Sequence, residues 1–211
     1  MGDRVDVYMT VQGRSRDTTR AIAESRARLG VESSHDWLDG YGIQFLDFPF
    51  TSDDADAETH LEVAAETYPT LTVAPDVERG RTLSEVVNMA DRLSQYAQSV
   101  IIVPKSCHPS AIPDRFRVGV PLADFGSSAP WTLWEYRECG PVHLLGGGPS
   151  RQLEVGNYLP VASVDTATLG KACRFGWWDG VSTDAPDGWD YRRRLRGSLN
   201  NYHAAWNNHN D

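Results

Sequence analysis

"TLTVAPDVERGRTLSEVVNMADRLSQYAQSVIIVP", residues 70–104, carries the pattern that decides the fold. It opens on a short apolar run, TLTVAPDV (70–77), passes into a helix candidate, TLSEVVNMADRLSQYAQ (82–98), and closes on SVIIVP (99–104). Thr82 and Glu85 stand at capping-box spacing, and Leu83, Val86, Val87, Ala90, Leu93 and Ala97 share one helical face. The closing run is apolar without alternation, as a strand covered on both faces must be. Strand, helix and doubly covered strand in sequence make a parallel β-α-β unit.

The same alternation extends in both directions. VDVYMT (5–10), IQFLDFPF (43–50), RFRVGVPL (115–122), PVHLLGG (141–147) and LPVASVD (159–165) read as further strands, seven in all. RDTTRAIAESRARLG (16–30) reads as a helix ending at Gly30, and PWTLWEYREC (130–139) as another with Gly140 past its end. YRRRLRGSLNNYHAAW (191–206) places Tyr191, Leu195, Leu199, Tyr202 and Trp206 at helical spacing. An open sheet and a barrel are both compatible with this order. Asp47, Asp76, Lys105, the Gly146–Gly148 loop and Asp165 all end strands, and chemistry collected at many strand ends favours a TIM-type (β/α) barrel. Such barrels typically need about 250 residues, so 211 predict a compact or incomplete one. The expected division is a barrel domain over 1–180 and a C-terminal helical segment over 181–211 packing on it.

With 40% hydrophobic residues the chain has enough apolar surface for a core. No apolar run approaches the roughly 20 residues of a membrane span, and MGDRVDVYMT lacks a signal-peptide pattern, so a cytoplasmic protein without membrane partners is expected. Net charge is −9, with only Lys105 and Lys171 among the 20 basic residues. That balance suits a halophilic cytoplasm, where surface carboxylates maintain solubility, and equally a GC-rich genome. Cys107, Cys139 and Cys173 form no C-x-x-C pair and read as reduced, packed thiols.

Three acids stand out. Asp47, in FLDFPF, lies among bulky apolar groups where desolvation would raise its pKa. Asp76 follows Pro75, which stiffens the turn presenting it. Asp165 ends the strand VASVD. Each alone is equally well a loop cap; three at one sheet end describe a carboxylate-lined pocket. Gly146, Gly147 and Gly148 offer bare backbone N–H groups to a phosphate, or a flat surface to a ring, or simply a tight turn. The loop lacks nucleotide-cofactor signatures, so no cofactor is expected. His143 precedes it. His35, His60, His108, His203 and His209 show no metal-ligand spacing, and no metal is expected. The Arg192, Arg193, Arg194 and Arg196 cluster is either a phosphate contact or a solvated helix face.

HLLGGGPSRQ (143–152) followed by ASVDT (162–166) resembles the tRNA-guanine transglycosylase superfamily, in which a Leu-(Leu/Met)-Gly-x-Gly loop precedes the strand of the nucleophilic aspartate. TVAPDV, SVIIVP and RFRVGVPL resemble its preceding strands, over roughly residues 38 to 176. The likeness is nearest to the phage, archaeal-virus and bacterial paralogues that insert 7-deazaguanines into DNA. DGYGIQFLDFPF (39–50) with APDV looks like an uncharacterised haloarchaeal and viral group among them. The resemblance implies a pentosyltransferase exchanging guanine in DNA for a 7-deazaguanine such as the cyano or aminomethyl form. Asp165 is then the nucleophile, Asp47 the general acid/base, and Asp76 the acceptor for the guanine edge, with Gly119, His143, Gly146, Gly147 and Gly148 around the base. Arg174 and the Arg192–Arg196 cluster would hold the polynucleotide. Where the family reads a DSG-type motif this chain has LDFPF, and where it has Gln this chain has VPKS, so Lys105 takes phosphate or base instead. The family's Cys-Cys-Cys-His zinc module is absent, which favours DNA over tRNA and leaves room for a protein partner. The alternative is a non-catalytic barrel that binds a nucleobase or nucleic acid as a partner subunit, and a third possibility is a hydrolase using Asp47 and Asp165 as its acid pair.

Overall fold

The computed structural model describes residues 4–11, 13–37, 39–50, 56–78, 80–122, 130–180 and 184–208. Eight parallel strands close on themselves in chain order: β1 (Asp6–Val11), β2 (Arg28–Glu32), β3 (Phe45–Asp47), β4 (Leu71–Val73), β5 (Ser99–Ile102), β6 (Arg117–Pro121), β7 (Val142–Leu145) and β8 (Val161–Thr166). β8 pairs with β1, Asp165 lying opposite Tyr8. The barrel is therefore complete, which corrects the expectation that it could be partial.

Closure depends on a strand the sequence hid. RLGVE forms β2, so the helix expected over 16–30 stops early as α1 (Arg16–Ala23), capped by the Ser15 side chain on the Thr18 N–H. The chain then turns and re-enters the sheet, with Gly30 inside a strand opposite Phe45 rather than ending a helix. A Cβ on Gly30 would lie 2.9 Å from Phe45 Cδ1, so glycine is what admits that ring to the barrel interior.

The remaining helices are α2 (Ala57–Thr67), α3 (Leu83–Leu93), α4 (Leu133–Arg137), α5 (Pro149–Gly156), α6 (Thr168–Ala172) and α7 (Tyr191–Asn208). Both halves of the Thr82–Glu85 capping box form at the start of α3. Among the described residues no helix joins β2 to β3, and only the single 3-10 turn Pro109–Ala111 joins β5 to β6. Abbreviating those connections is how 211 residues close eight strands. α7 packs against α1, α5 and α6 and buries Leu195, Leu199, Tyr202 and Trp206, as its spacing predicts. This helix falls within the segment expected over 181–211, of which residues 181–183, 209–211 and with them His209 lie outside the described residues.

The interior is divided. Tyr8, Phe45, Phe48, Leu71, Val73, Ile101 and Val103 form an apolar cluster inside the sheet. Across from it, His143, Ser163 and Asp165 are buried polar groups. Between sheet and helices lies the larger core, whose buried polar residues include His60 on α2. His60 Nδ1 meets Ser33 Oγ at 2.9 Å and Nε2 meets Thr72 Oγ1 at 3.0 Å. No helix among the described residues is long and apolar enough to cross a membrane. Cys173 is buried, while Cys107 and Cys139 are half-buried free thiols.

Candidate active site at the carboxyl end of the barrel

The glycine loop serves Asp165 directly. Gly146 and Gly147 adopt φ of +64° and +77°, conformations that side-chain-bearing residues rarely take. This turn brings the Gly146 N–H to Asp165 Oδ1 at 3.1 Å. Gly148 is the N-cap of α5, and Pro149 occupies its first turn. From α5, Gln152 Nε2 donates to Gly146 O at 2.5 Å and Asp165 O at 2.7 Å, while its Oε1 accepts from Tyr202 on α7. One amide therefore fastens the β7 loop to the end of β8, and α7 holds that amide.

A second contact to Asp165 comes through the barrel. His143 Nε2 lies 3.3 Å from the same Oδ1, and its Nδ1 lies 2.7 Å from Ser163 Oγ. Arg117 Nη1 donates to Ser163 Oγ at 2.8 Å. Arginine has no acceptor, so the Ser163 proton is free to go to His143 Nδ1. Nε2 then carries the imidazole hydrogen and donates to Asp165. In the opposite tautomer two donors would face Ser163 Oγ and a lone pair would face the carboxylate. Burial lowers the His143 pKa, its leading cause, against the raising effect of Asp165. Phe45 stacks on the imidazole at a centroid distance of 5.5 Å, keeping that side dry.

Asp47 ends β3 beside Phe48. Its carboxyl is pushed well above the usual range by burial first, then by the charges of Asp165 and Glu32, with a smaller push from Asp76; a Phe48 backbone contact acts the other way. Its Oδ1 is closed to solvent and has no hydrogen-bond partner. The charges of Asp165, Glu32 and Asp76 thus all act on Asp47, and Glu32 pairs in register with it. Among the described residues no group of three or more His, Cys, Asp or Glu is placed to hold a metal ion.

Asp76 is 2% exposed and its Oδ2 pairs with Lys105 Nζ, which also lies 3.4 Å from Glu78 Oε1. Burial lifts its pKa to about 6 despite Lys105, and Oδ1 is left unpartnered. Lys105 Nζ sits 5.5 Å from the centroid of Phe50, a half-buried ring that adjoins Phe48.

Other nominated residues are placed differently. Gly119 faces packing atoms: a Cβ there would meet Leu145, Ile101 and Val103 at 2.7, 2.8 and 3.0 Å. Its lack of a side chain makes room for those three in the barrel interior. The arginines do not form one free face. Arg192 and Arg196 both reach Glu24 at the end of α1, Arg193 lies over the Trp189 ring at 4.8 Å, and Arg194 Nε is buried without a partner. Arg174 is exposed beyond α6. Sequence reasoning missed Glu32, Phe50, Arg117, Gln152, Ser163 and Tyr202. Gln152, at the fourth position of α5 and buried, had the one readable signal, a polar residue on the apolar face of a short helix.

The architecture is that of a TIM-type barrel whose carboxyl-terminal mouth gathers buried carboxylates around a glycine turn. Within that class the chain belongs to DUF6610, a family of unknown function, which it matches over residues 28–207. No curated protein matches it. Similar solved structures include one described as native KDPGal, with 12% identity, a TM-score of 0.54 and coverage of 98% of this chain and 96% of that one. The YdjI aldolase from Escherichia coli K12 is similar at 10% identity and TM-score 0.55, covering 95% and 88%. A putative fructose-1,6-biphosphate aldolase from Coccidioides immitis gives 12% identity and TM-score 0.50, covering 97% and 88%. At such identities the likeness establishes the fold alone.

Proposed function

We propose that the chain is a pentosyltransferase of the base-exchange type, replacing guanine in DNA by a 7-deazaguanine. The observation that carries the proposal is the pairing of two unlike carboxyls at one mouth. Asp165 is addressed by two N–H groups through Oδ1, while the Asp47 carboxyl favours its protonated form. That division suits a nucleophile and a general acid.

In the first half-reaction an Asp165 oxygen bonds to C1′ as the C1′–N9 bond breaks. The electron pair leaves on guanine, and Asp47 supplies a proton. In the second, the Asp47 carboxylate takes the N9 proton of the incoming 7-deazaguanine, N9 bonds to C1′, and the ester bond to Asp165 breaks. Proton and carboxylate return to their starting places. Asp76 Oδ1, unpartnered while Oδ2 holds the Lys105 ammonium, is suited to accept from the guanine N1–H and 2-amino group. A base reaching this depth must leave its stack, and Phe50 offers it a new face. Lys105, which pairs with Asp76 and Glu78, would meet phosphate or base once Asp76 turns to its ligand.

A hydrolase reading shares the first half-reaction, and the Asp47–Asp165 pairing favours it equally; water then replaces the incoming base. The test is incubation of the purified chain with duplex DNA carrying isotopically labelled guanine and a cyano- or aminomethyl-deazaguanine, followed by mass spectrometry of the nucleosides. Exchange is expected, and Asp165→Ala should abolish it. Labelled guanine released without incorporation would identify a hydrolase. Neither release nor a denaturant-resistant DNA adduct, with the protein folded, would leave the non-catalytic binding barrel.

A further inference from the structure

At the opposite, amino-terminal end of the barrel, Arg4, Asp6, Val7, Arg26, Arg28 and His203 line a cleft of about 480 Å³. Asp6 and Arg28 begin β1 and β2, Arg4 and Arg26 precede them, and His203 comes from the late part of α7. The one carboxylate is committed: Asp6 Oδ1 holds Arg28 Nη2 at 2.8 Å, and Arg28 Nη1 also reaches Tyr8 Oη at 3.3 Å. Arg4 Nη2 lies 3.2 Å from His203 Nε2, which as its acceptor leaves the hydrogen on Nδ1. That Nδ1 is buried with no acceptor. Neither Arg4 nor Arg26 has a carboxylate partner among the described residues, and both are exposed. Three guanidinium groups thus surround one carboxylate in a chain whose net charge is −9.

We infer that this cleft is a phosphate-binding site. Unneutralised guanidinium groups gathered on an acidic protein repel one another unless an anion joins them. The planar fork of arginine matches phosphate bidentately, and the two free charges complement the −1.5 to −2 or so of a phosphomonoester near pH 7. The volume falls in the ~300–1,000 Å³ range of small-molecule sites, enough for a ligand the size of a mononucleotide. None of its residues belongs to the carboxyl-terminal mouth, so this inference stands or falls apart from the proposed reaction.

The test is titration calorimetry of the full chain with inorganic phosphate, a nucleoside monophosphate and a short DNA duplex, each against chloride at matched ionic strength. Saturable binding is expected, weakened about tenfold or more by Arg4→Gln or Arg26→Gln. The Arg26 side chain is exposed, and glutamine at position 4 keeps an N–H donor for His203, so both variants should still unfold in one cooperative transition without ligand. Binding should persist in Asp165→Ala. Response to phosphate and the monophosphate identifies a small-molecule source. Response to the duplex alone, lost in the double variant, identifies polynucleotide phosphate. No saturable binding by any of the three, or binding unchanged in the double variant, overturns the inference.

Discussion

Ser163→Ala removes a single hydroxyl from the polar column inside the barrel, and its consequences follow from the hydrogen-bond directions. Ser163 Oγ accepts from Arg117 Nη1 at 2.8 Å and serves His143 Nδ1 at 2.7 Å. The variant leaves a guanidinium donor and an imidazole nitrogen without partners where Ser163 and His143 are fully buried. An unmet buried polar group costs about 1–3 kcal/mol. Arg117 is only half-buried and keeps other donors for water, so the sum should fall near 3 kcal/mol. In a chain of this size that lowers the melting temperature by about 6–12 °C. Urea denaturation measures the free energy. Nitrogen-15 NMR of the His143 ring measures the cause: the parent should carry its proton on Nε2, and Ser163→Ala should release Nδ1–H as a competing tautomer. A parent ring protonated on Nδ1, or a variant within about 0.5 kcal/mol of the parent, would refute the reasoning.

Two buried groups titrate in opposite senses over one pH window. Burial lowers the His60 pKa to about 4, so its stability contribution is full above about 6.5 and lost as pH falls toward 4; burial raises that of Asp76 to about 6, so its contribution is full below about 4 and lost as pH rises toward 6. Each amounts to roughly 3 kcal/mol, so the two offset in the parent, and denaturation of His60→Leu across pH 4 to 6.5 should show stability falling as pH rises. A flat variant profile would exclude this. Gly156→Ala should destabilise by about 1–3 kcal/mol because its Cβ would lie 2.5 Å from the Trp206 ring, wedging α5 from α7. If calorimetry gives one transition, lowered as a whole, α7 is integral to the barrel; a separate early transition would show that it is not.

What could be read from the chain, and what could not, divides along the barrel wall. Residues 70–104 specify a β-α-β unit because β5 is apolar on both faces, β4 on its inner face and α3 on the face it buries, and the capping box marks where the helix begins. RLGVE gives no such signal. Arg28 and Glu32 point polar groups at the two ends of the barrel, and Gly30 yields its space to Phe45, so β2 lacks an apolar inner face. Its flanking arginines and alanines extend the preceding helix pattern instead. The three acids were legible as recurrent strand-end carboxylates. Their supports were not, since Ser163 meets His143 only through the β7–β8 register, and Arg117 lies two strands away from Ser163. Such contacts belong to closure, which no local window contains.

Closure also sets the surroundings of the acids. The apolar half of the interior, Phe45 with Leu71, Val73, Ile101 and Val103, fills the barrel centre and presses one ring face on His143. Water is thereby kept from the middle of the polar column, which strengthens each hydrogen bond within it. Asp165 can then be fixed through Oδ1 alone, by Gly146 from the loop and His143 from the strand. Asp47 lacks such donors on its Oδ1 and meets the charges of Asp165 and Glu32 instead, so the same dry interior drives it toward its neutral form. Burial and neighbouring negative charge thus raise the Asp47 carboxyl, while Asp165 Oδ1 is met by the N–H groups of Gly146 and His143. The division of the barrel into an apolar and a polar half is therefore what gives two identical side chains such unlike surroundings.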